Sequence, residues 1–249
     1  MGLDIPMYGL SVFTGFCVCA LYLVLLKKSV SFLFDDVFIL GAIALGFGFV
    51  GAKLLYILTA FNLQELWSFI KSGQFTFIVN SGMVFYGGFV FGVASVLIFS
   101  KIFHISLKTY ESIFVSSVPL IHAFGRIGCF CAGCCYGCVT DSVFGVCYSI
   151  PLSDAPIGIP LFPVQLLESL LNLCLFILLA ILTSKQKTRR MVLPLYLICY
   201  AVFRFILEFF RFDDIRGIFF GLSTSQWISI ALCVIGTLLL LIRVKQKDK

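Results

Sequence analysis

The segment HAFGRIGCFCAGCCYG, His122 to Gly137, places an imidazole, a guanidinium and four thiols at the end of a run of apolar residues. Farther along, YAVFRFILEFFRFDD carries Arg204, Glu208 and Arg211, spaced four and three apart. On a helix that spacing stacks them along one face while phenylalanines cover the rest. An ionisable group inside an apolar span costs a few kcal/mol at the helix centre, so each is a candidate functional residue. Two guanidinium groups against one carboxylate leave positive charge over. The simplest answer is an anion that comes and goes, and phosphate suits the planar fork of arginine best. Arg126 supplies a further guanidinium, with Gly125 and Gly128 beside it to admit backbone or a lipid headgroup. Together these residues compose a lipid-phosphate site.

Other polar groups carry two readings each. Tyr86 precedes Gly87, Gly88 and Gly92, and its phenol can hydrogen-bond a phosphate or a glycerol hydroxyl. The glycines there serve ligand approach or tight helix packing, and the glycine-rich GFGFVGAK face, Gly46 to Lys53, is read as packing. His122 either accepts a proton or hydrogen-bonds a neighbouring helix. Glu168, in FPVQLLES, pairs with an arginine or binds substrate. Lys53 is read as snorkelling and Glu111 as interfacial. The cysteines from Cys129 to Cys138 do not repeat a pair of C-x-x-C hairpins, so free thiols are the first reading, a disulfide to Cys147 the second and metal the third.

The elements that must position these groups are membrane helices. Of 249 residues 61% are hydrophobic and only 12% charged, which excludes an ordinary soluble globule. Seven runs are long and apolar enough to cross a bilayer: about 6–26, 37–59, 82–99, 110–128, 164–184, 192–212 and 225–243. Lysine and arginine collect in alternate connections, at Lys27 and Lys28, at Lys101 and Lys108, from Lys185 to Arg190, and in the tail RVKQKDK. The other connections hold only Lys71 and Arg216. The expected topology is therefore all-α, with seven transmembrane helices, the N-terminus outside and the C-terminus cytoplasmic. The first run lacks a preceding basic region and is read as a retained helix. The net charge of +6 is read as contact with anionic headgroups, not nucleic acid, and residues 1–249 as one polytopic membrane domain.

GAKLLYIL, GGFVFG, GRIGCF, FPVQLLES and FRFILEFFR, in that order, resemble the bacterial prolipoprotein diacylglyceryl transferase family. The resemblance implies a multi-pass enzyme of the bacterial cell (inner) membrane. It would transfer the diacylglyceryl group of phosphatidylglycerol to the lipobox cysteine of a preprolipoprotein signal peptide and release glycerol phosphate. No cofactor and no metal is implied. The family's signature arginine falls on Arg126, its second on Arg204, and the charges that follow on Glu208 and Arg211. The implied catalytic residues are Arg126, Arg204, His122 and Tyr86, with Gly87, Gly88, Gly125, Gly128, Glu168, Glu208 and Arg211 binding substrate. Two positions depart from the family: Tyr86 stands where a histidine is usual, and Cys129 where an asparagine is usual. His122, one turn before Arg126, is the substitute base. A non-catalytic phospholipid-binding or transport protein, and a transferase with another acceptor, stay open beside this reading.

Overall fold

Helix dominates the computed structural model, which describes residues 7–73, 82–149, 155–211 and 218–246. Residues 6 and 212, expected ends of the first and sixth spans, lie outside the described residues, as do Arg216, Lys247 and Lys249. Among the described residues eight helices follow in order: α1 (Met7–Leu26), α2 (Phe34–Ala60), α3 (Leu63–Lys71), α4 (Phe85–Ile102), α5 (Leu107–Ala132), α6 (Val164–Ser184), α7 (Val192–Leu207) and α8 (Thr224–Lys245). Single 3₁₀ turns cover Arg189–Met191 and Glu208–Phe210, and a two-residue hairpin pairs β1 (Ile218–Phe219) with β2 (Leu222–Ser223).

Among the described residues six segments are long and apolar enough to cross a membrane: Met7–Leu26, Phe34–Ala60, Tyr110–Ala132, Val164–Ser184, Arg189–Phe210 and Thr224–Lys245. The expected third span forms α4, whose 18 residues rise about 27 Å at 1.5 Å each, close to a hydrocarbon core. Large apolar side chains such as Phe13, Leu21, Phe49, Leu58, Ile177 and Leu238 remain exposed, as they do on helices solvated by lipid. The chain is an integral membrane protein built of helices.

Two compact units divide the chain, one of residues 32–110 and one of residues 1–31 with 111–249. In the first, α2 and α4 pack through glycine. A Cβ on Gly51 would run into Phe91 and the Gly87 carbonyl, and one on Gly87 into the Gly51 carbonyl and Leu55. Gly88 similarly lies against the Gly48 carbonyl, and Gly92 against that of Ala44. Lipid offers helices no hydrophobic drive to associate, so backbones must approach closely for dispersion to hold them. Lys53 donates to the Gly82 carbonyl at 3.4 Å, and Tyr110 donates to Asp36 while accepting from the Leu33 N–H.

In the second unit, Leu175 and Leu179 of α6 and Val192 of α7 form a buried cluster with Val115, Tyr196 and Phe203 around it. Small residues again admit neighbours: Phe124 packs on Gly15, and Tyr8 covers Gly128. Arg243 clamps Glu111 with both terminal nitrogens, at 2.8 and 3.0 Å, and donates to the Arg190 carbonyl. That pairing fixes one end of α8 to α5.

The glycine contacts set an expectation for stability. Gly51→Ala should cost about 1–3 kcal/mol, as overpacking does, whereas Gly41→Ala, with nothing near its Cβ, should be neutral or stabilising. Thermal unfolding of both variants in detergent checks the difference; equal midpoints would rule out the α2–α4 contact as the cause.

Candidate active site

Glu168 stands in the first turns of α6, 1% exposed, and draws partners from two other segments. Its Oε1 lies 3.1 Å from Arg126 Nε and 3.4 Å from His122 Nε2, both on α5, and its Oε2 lies 3.8 Å from Arg211 Nη1. None of these contacts has hydrogen-bond alignment, so both carboxylate oxygens are held by charge and keep acceptor capacity. Arg126 Nε donates instead to His122 Nε2 at 3.2 Å. An imidazole nitrogen that accepts carries no proton, which places the His122 hydrogen on Nδ1 in this arrangement. The His122 ring also packs against Tyr200 of α7, with centroids 5.8 Å apart.

A second pair lies on α7 and the segment after it. Arg204 Nη2 meets Glu208 Oε2 at 2.7 Å and donates to Ser225 Oγ at 2.8 Å. Ser223 holds the other carboxylate oxygen, donating to Glu208 Oε1 at 2.8 Å. Its own position follows from local structure. Phe220 and Gly221 both take positive φ, as the tight turn of a two-residue hairpin requires, and the hairpin delivers Ser223 to the N-cap of α8. There it forms a capping box with Gln226. The spacing S-x-x-Q is readable in the sequence, and it would have pointed to Ser223, with Ser225 in the same turn.

One expectation about this segment is corrected. Arg204, Glu208 and Arg211 do not share one helix face, because α7 ends at Leu207 and Glu208–Phe210 tighten into a 3₁₀ turn. Arg211 is extended, with φ −95° and ψ 145°, and bridges Gly137. Backbone pairing sets its place: Gly137 N–H donates to Phe162 O at 3.1 Å and Cys138 N–H to Phe210 O at 2.9 Å. A Cβ on Gly137 would collide with both the Phe162 and Phe210 carbonyls, so only glycine fits between the two strands of backbone. Gly137 and the loop after α5 were absent from the sequence-derived site, since their role is one of backbone approach.

Around the cluster, Gln165 is also buried and donates to the Cys134 carbonyl at 2.9 Å, while Tyr148 donates to the Phe130 carbonyl at 3.2 Å. The Cys135 thiol is pushed down to about 4, chiefly by a hydrogen bond from Cys129 and then by the Arg126 and Arg211 guanidinium groups, against the opposing effect of burial. Nothing lies within 4 Å of where a Cβ of Gly125 would be, so the backbone next to Arg126 is open, whereas Gly128 is taken up by Tyr8. Tyr86, 47% exposed, and Gly87 and Gly88 belong to the other unit, where the glycines serve helix packing.

An unused donor decides what this arrangement can do. Among the described residues Arg126, Arg204 and Arg211 stand with Glu168 and Glu208, all largely buried, and Arg204 Nη1 is a buried donor with no hydrogen-bond partner. A buried guanidinium with an unused donor accepts an anion bearing oxygen acceptors. Removing Glu168 would leave its cations uncompensated, so Glu168→Ala should cost about 3–5 kcal/mol and Glu168→Gln less. Chemical denaturation in detergent reads this; a Glu168→Ala protein as stable as the parent would mean that the carboxylate does not hold the cluster.

Comparison with known proteins shows the family. The family model for prolipoprotein diacylglyceryl transferase matches residues 1–242. A phosphatidylglycerol–prolipoprotein diacylglyceryl transferase of Clostridium tetani (strain Massachusetts / E88) is 34% identical over 94% of this chain and 92% of its own length. The enzyme designated transferase 2 in Clostridium perfringens (strain 13 / Type A) is 33% identical over 96% and 91%. That of Streptococcus pneumoniae (strain Hungary19A-6) is 30% identical over 98% and 92%. Matched over nearly its whole length in this way, the chain belongs to the prolipoprotein diacylglyceryl transferase family.

Proposed function

We propose that this protein transfers the diacylglyceryl group of phosphatidylglycerol to the lipobox cysteine of a preprolipoprotein, forming a thioether and releasing glycerol phosphate. The observation that carries the reading is the buried arginine–glutamate cluster in which, among the described residues, Arg204 keeps an unused donor, in a chain of this family. The phosphodiester of phosphatidylglycerol is an anion of the kind that such a cluster accepts. Arg126 and Arg204 bind that phosphate, Glu208 and Arg211 complete the polar network, and Gly125 leaves room for the headgroup.

The reaction requires an acceptor thiolate, an electrophilic glycerol carbon and a stabilised leaving group. Sulfur forms the new bond to carbon as the carbon–oxygen bond breaks, and its electron pair departs on the phosphate. The arginines offset that growing charge from positions fixed before reaction, an effect worth several kcal/mol where water is scarce. His122 takes the thiol proton. In the resting geometry its Nε2 lone pair is engaged by Arg126. A phosphate that draws Arg126 toward itself frees that lone pair, coupling headgroup binding to readiness of the base.

The wider setting belongs to the same proposal. We take residues 1–249 as one polytopic domain of seven spans in the bacterial inner membrane, with the N-terminus outside and the C-terminus cytoplasmic, on the strength of the lysine and arginine asymmetry. The acceptor docks with its signal helix in the bilayer, and the lipid enters sideways. Tyr86 keeps the catalytic role, and Gly87 and Gly88 the substrate-binding role, that the family resemblance gives them.

Transfer of labelled diacylglyceryl from phosphatidylglycerol to a lipobox peptide tests the reading. Arg126→Ala and Arg204→Ala should each lower kcat about 10²–10³-fold, and Arg126→Lys should not restore it, since lysine lacks the fork. His122→Ala should lower kcat about 10²–10⁴-fold. Near-normal turnover in that variant removes His122 as the base and directs the test to Tyr86→Phe. Lipid binding without turnover in the parent protein would leave a binding protein in place of an enzyme.

A further inference from the structure

Cys129, Cys134 and Cys135 bring three sulfur atoms within 4.8 Å of one another, each residue partly buried and each a free thiol. The spacing C-x₄-C-C does not announce this; the backbone produces it. Gly133, at φ 73°, ends α5 in a Schellman turn in which its N–H donates to Phe130 O at 3.2 Å and the Cys134 N–H donates to Cys129 O at 3.1 Å. The chain thereby folds back over the last helical turn and returns Cys134 to Cys129. Cys135 is also left-handed, at φ 56°, and its sulfur joins the other two. Gln165 and Tyr148 pin this turn through the Cys134 and Phe130 carbonyls. Backbone and side-chain hydrogen bonds thus set the turn that gathers the three sulfurs, and the Cys134 thiol adds its own to the Cys129 carbonyl at 3.7 Å.

Such a group has a definite chemistry. Around a tetrahedral ion with metal–sulfur bonds of about 2.3 Å, sulfurs stand about 3.8 Å apart, a separation these atoms reach with small adjustments. Thiolates are soft ligands and select zinc-class ions over magnesium or calcium, and among the described residues no carboxylate or imidazole joins the group. Three thiolates around a divalent cation carry one net negative charge, and Arg126 and Arg211 stand close enough for their charges to act on Cys135. Three protein ligands with one position open is the pattern of zinc sites that do chemistry.

We propose that Cys129, Cys134 and Cys135 form a tris-thiolate site for a thiophilic divalent cation of the zinc class, whose fourth position takes the acceptor thiol. This rests on the transferase reading above and deepens it. The acceptor thiol replaces a bound water and gives its proton to His122, and the cation holds it as a thiolate at neutral pH. Its sulfur then bonds to the glycerol carbon as the carbon–oxygen electron pair leaves on phosphate, and the thioether, a weaker ligand, gives way to water. The cation thus assists the base, His122, in lowering the cost of ionising the acceptor.

Cobalt(II) is the probe, added to the metal-free full-length protein in detergent. One equivalent should bind with a sulfur-to-cobalt charge-transfer band, and the band should shift with a lipobox peptide but not with its cysteine-to-serine analogue. Cys129→Ser, Cys134→Ser and Cys135→Ser should each weaken binding about tenfold or more, while Cys131→Ser, outside the group, should bind as the parent does. In the unsubstituted protein, zinc should shield these three cysteines from alkylation. Absence of the band, its persistence in the three variants, indifference to the thiol peptide, or unshielded cysteines would overturn the site. Full turnover in metal-free protein overturns the role of the metal and leaves the transferase standing. A band that responds to the thiol peptide without any transfer from phosphatidylglycerol upholds the site and sinks the transferase reading.

Discussion

A carboxylate buried to 1% exposure in a membrane protein has to be neutralised, and the way Glu168 is neutralised orders the rest of its unit. Its partners come from α5 and from the extended segment after α7, so α5, α6 and that segment converge where none would lie by apolar packing alone. The requirement also reaches the loops. Arg211 contributes only because the chain leaves the helix at Leu207, and it leaves in register only because Gly137 and Cys138 pair with the backbone around Phe210. The loop after α5 is therefore as much a part of the charge cluster as the helices are.

An unused donor gives the site its chemical character. Glu111 and Arg243 form a structural staple elsewhere in the chain. In the cluster around Glu168, among the described residues, Arg204 Nη1 is buried without a hydrogen-bond partner, which costs stability in the free protein and would be offset by an oxygen acceptor bound there. The Ser223 and Ser225 hydroxyls keep Arg204 and Glu208 aligned without adding charge.

Backbone contact does in this chain what large side chains do in soluble cores. Gly51 against Gly87, Gly15 beneath Phe124 and Gly137 between two carbonyls each mark a place where main chains approach as closely as sterics allow. Gly133 acts through conformation instead, because a left-handed residue is what turns the chain back at the end of α5. The place of Arg211 in the polar cluster depends on the approach at Gly137, and the three neighbouring thiols on the turn at Gly133.

The sequence by itself determined the membrane class, the apolar helices to within a few residues, and which polar residues stand as candidates for function. Each rests on composition or spacing: apolar runs match bilayer thickness, and an arginine among phenylalanines is conspicuous wherever it sits. The buried Arg204–Glu208 pair was readable too, since a four-residue spacing survives to the end of α7. What the tertiary structure decided is which of the charges meet. Glu168 lies 42 residues from Arg126 and 43 from Arg211, so no periodicity relates them. Its choice of partners, the departure of Arg211 from the helix and the gathering of three sulfurs at Gly133 all follow from long-range backbone hydrogen bonds and close approaches, and glycines and carbonyls leave no signature in a pattern of side chains.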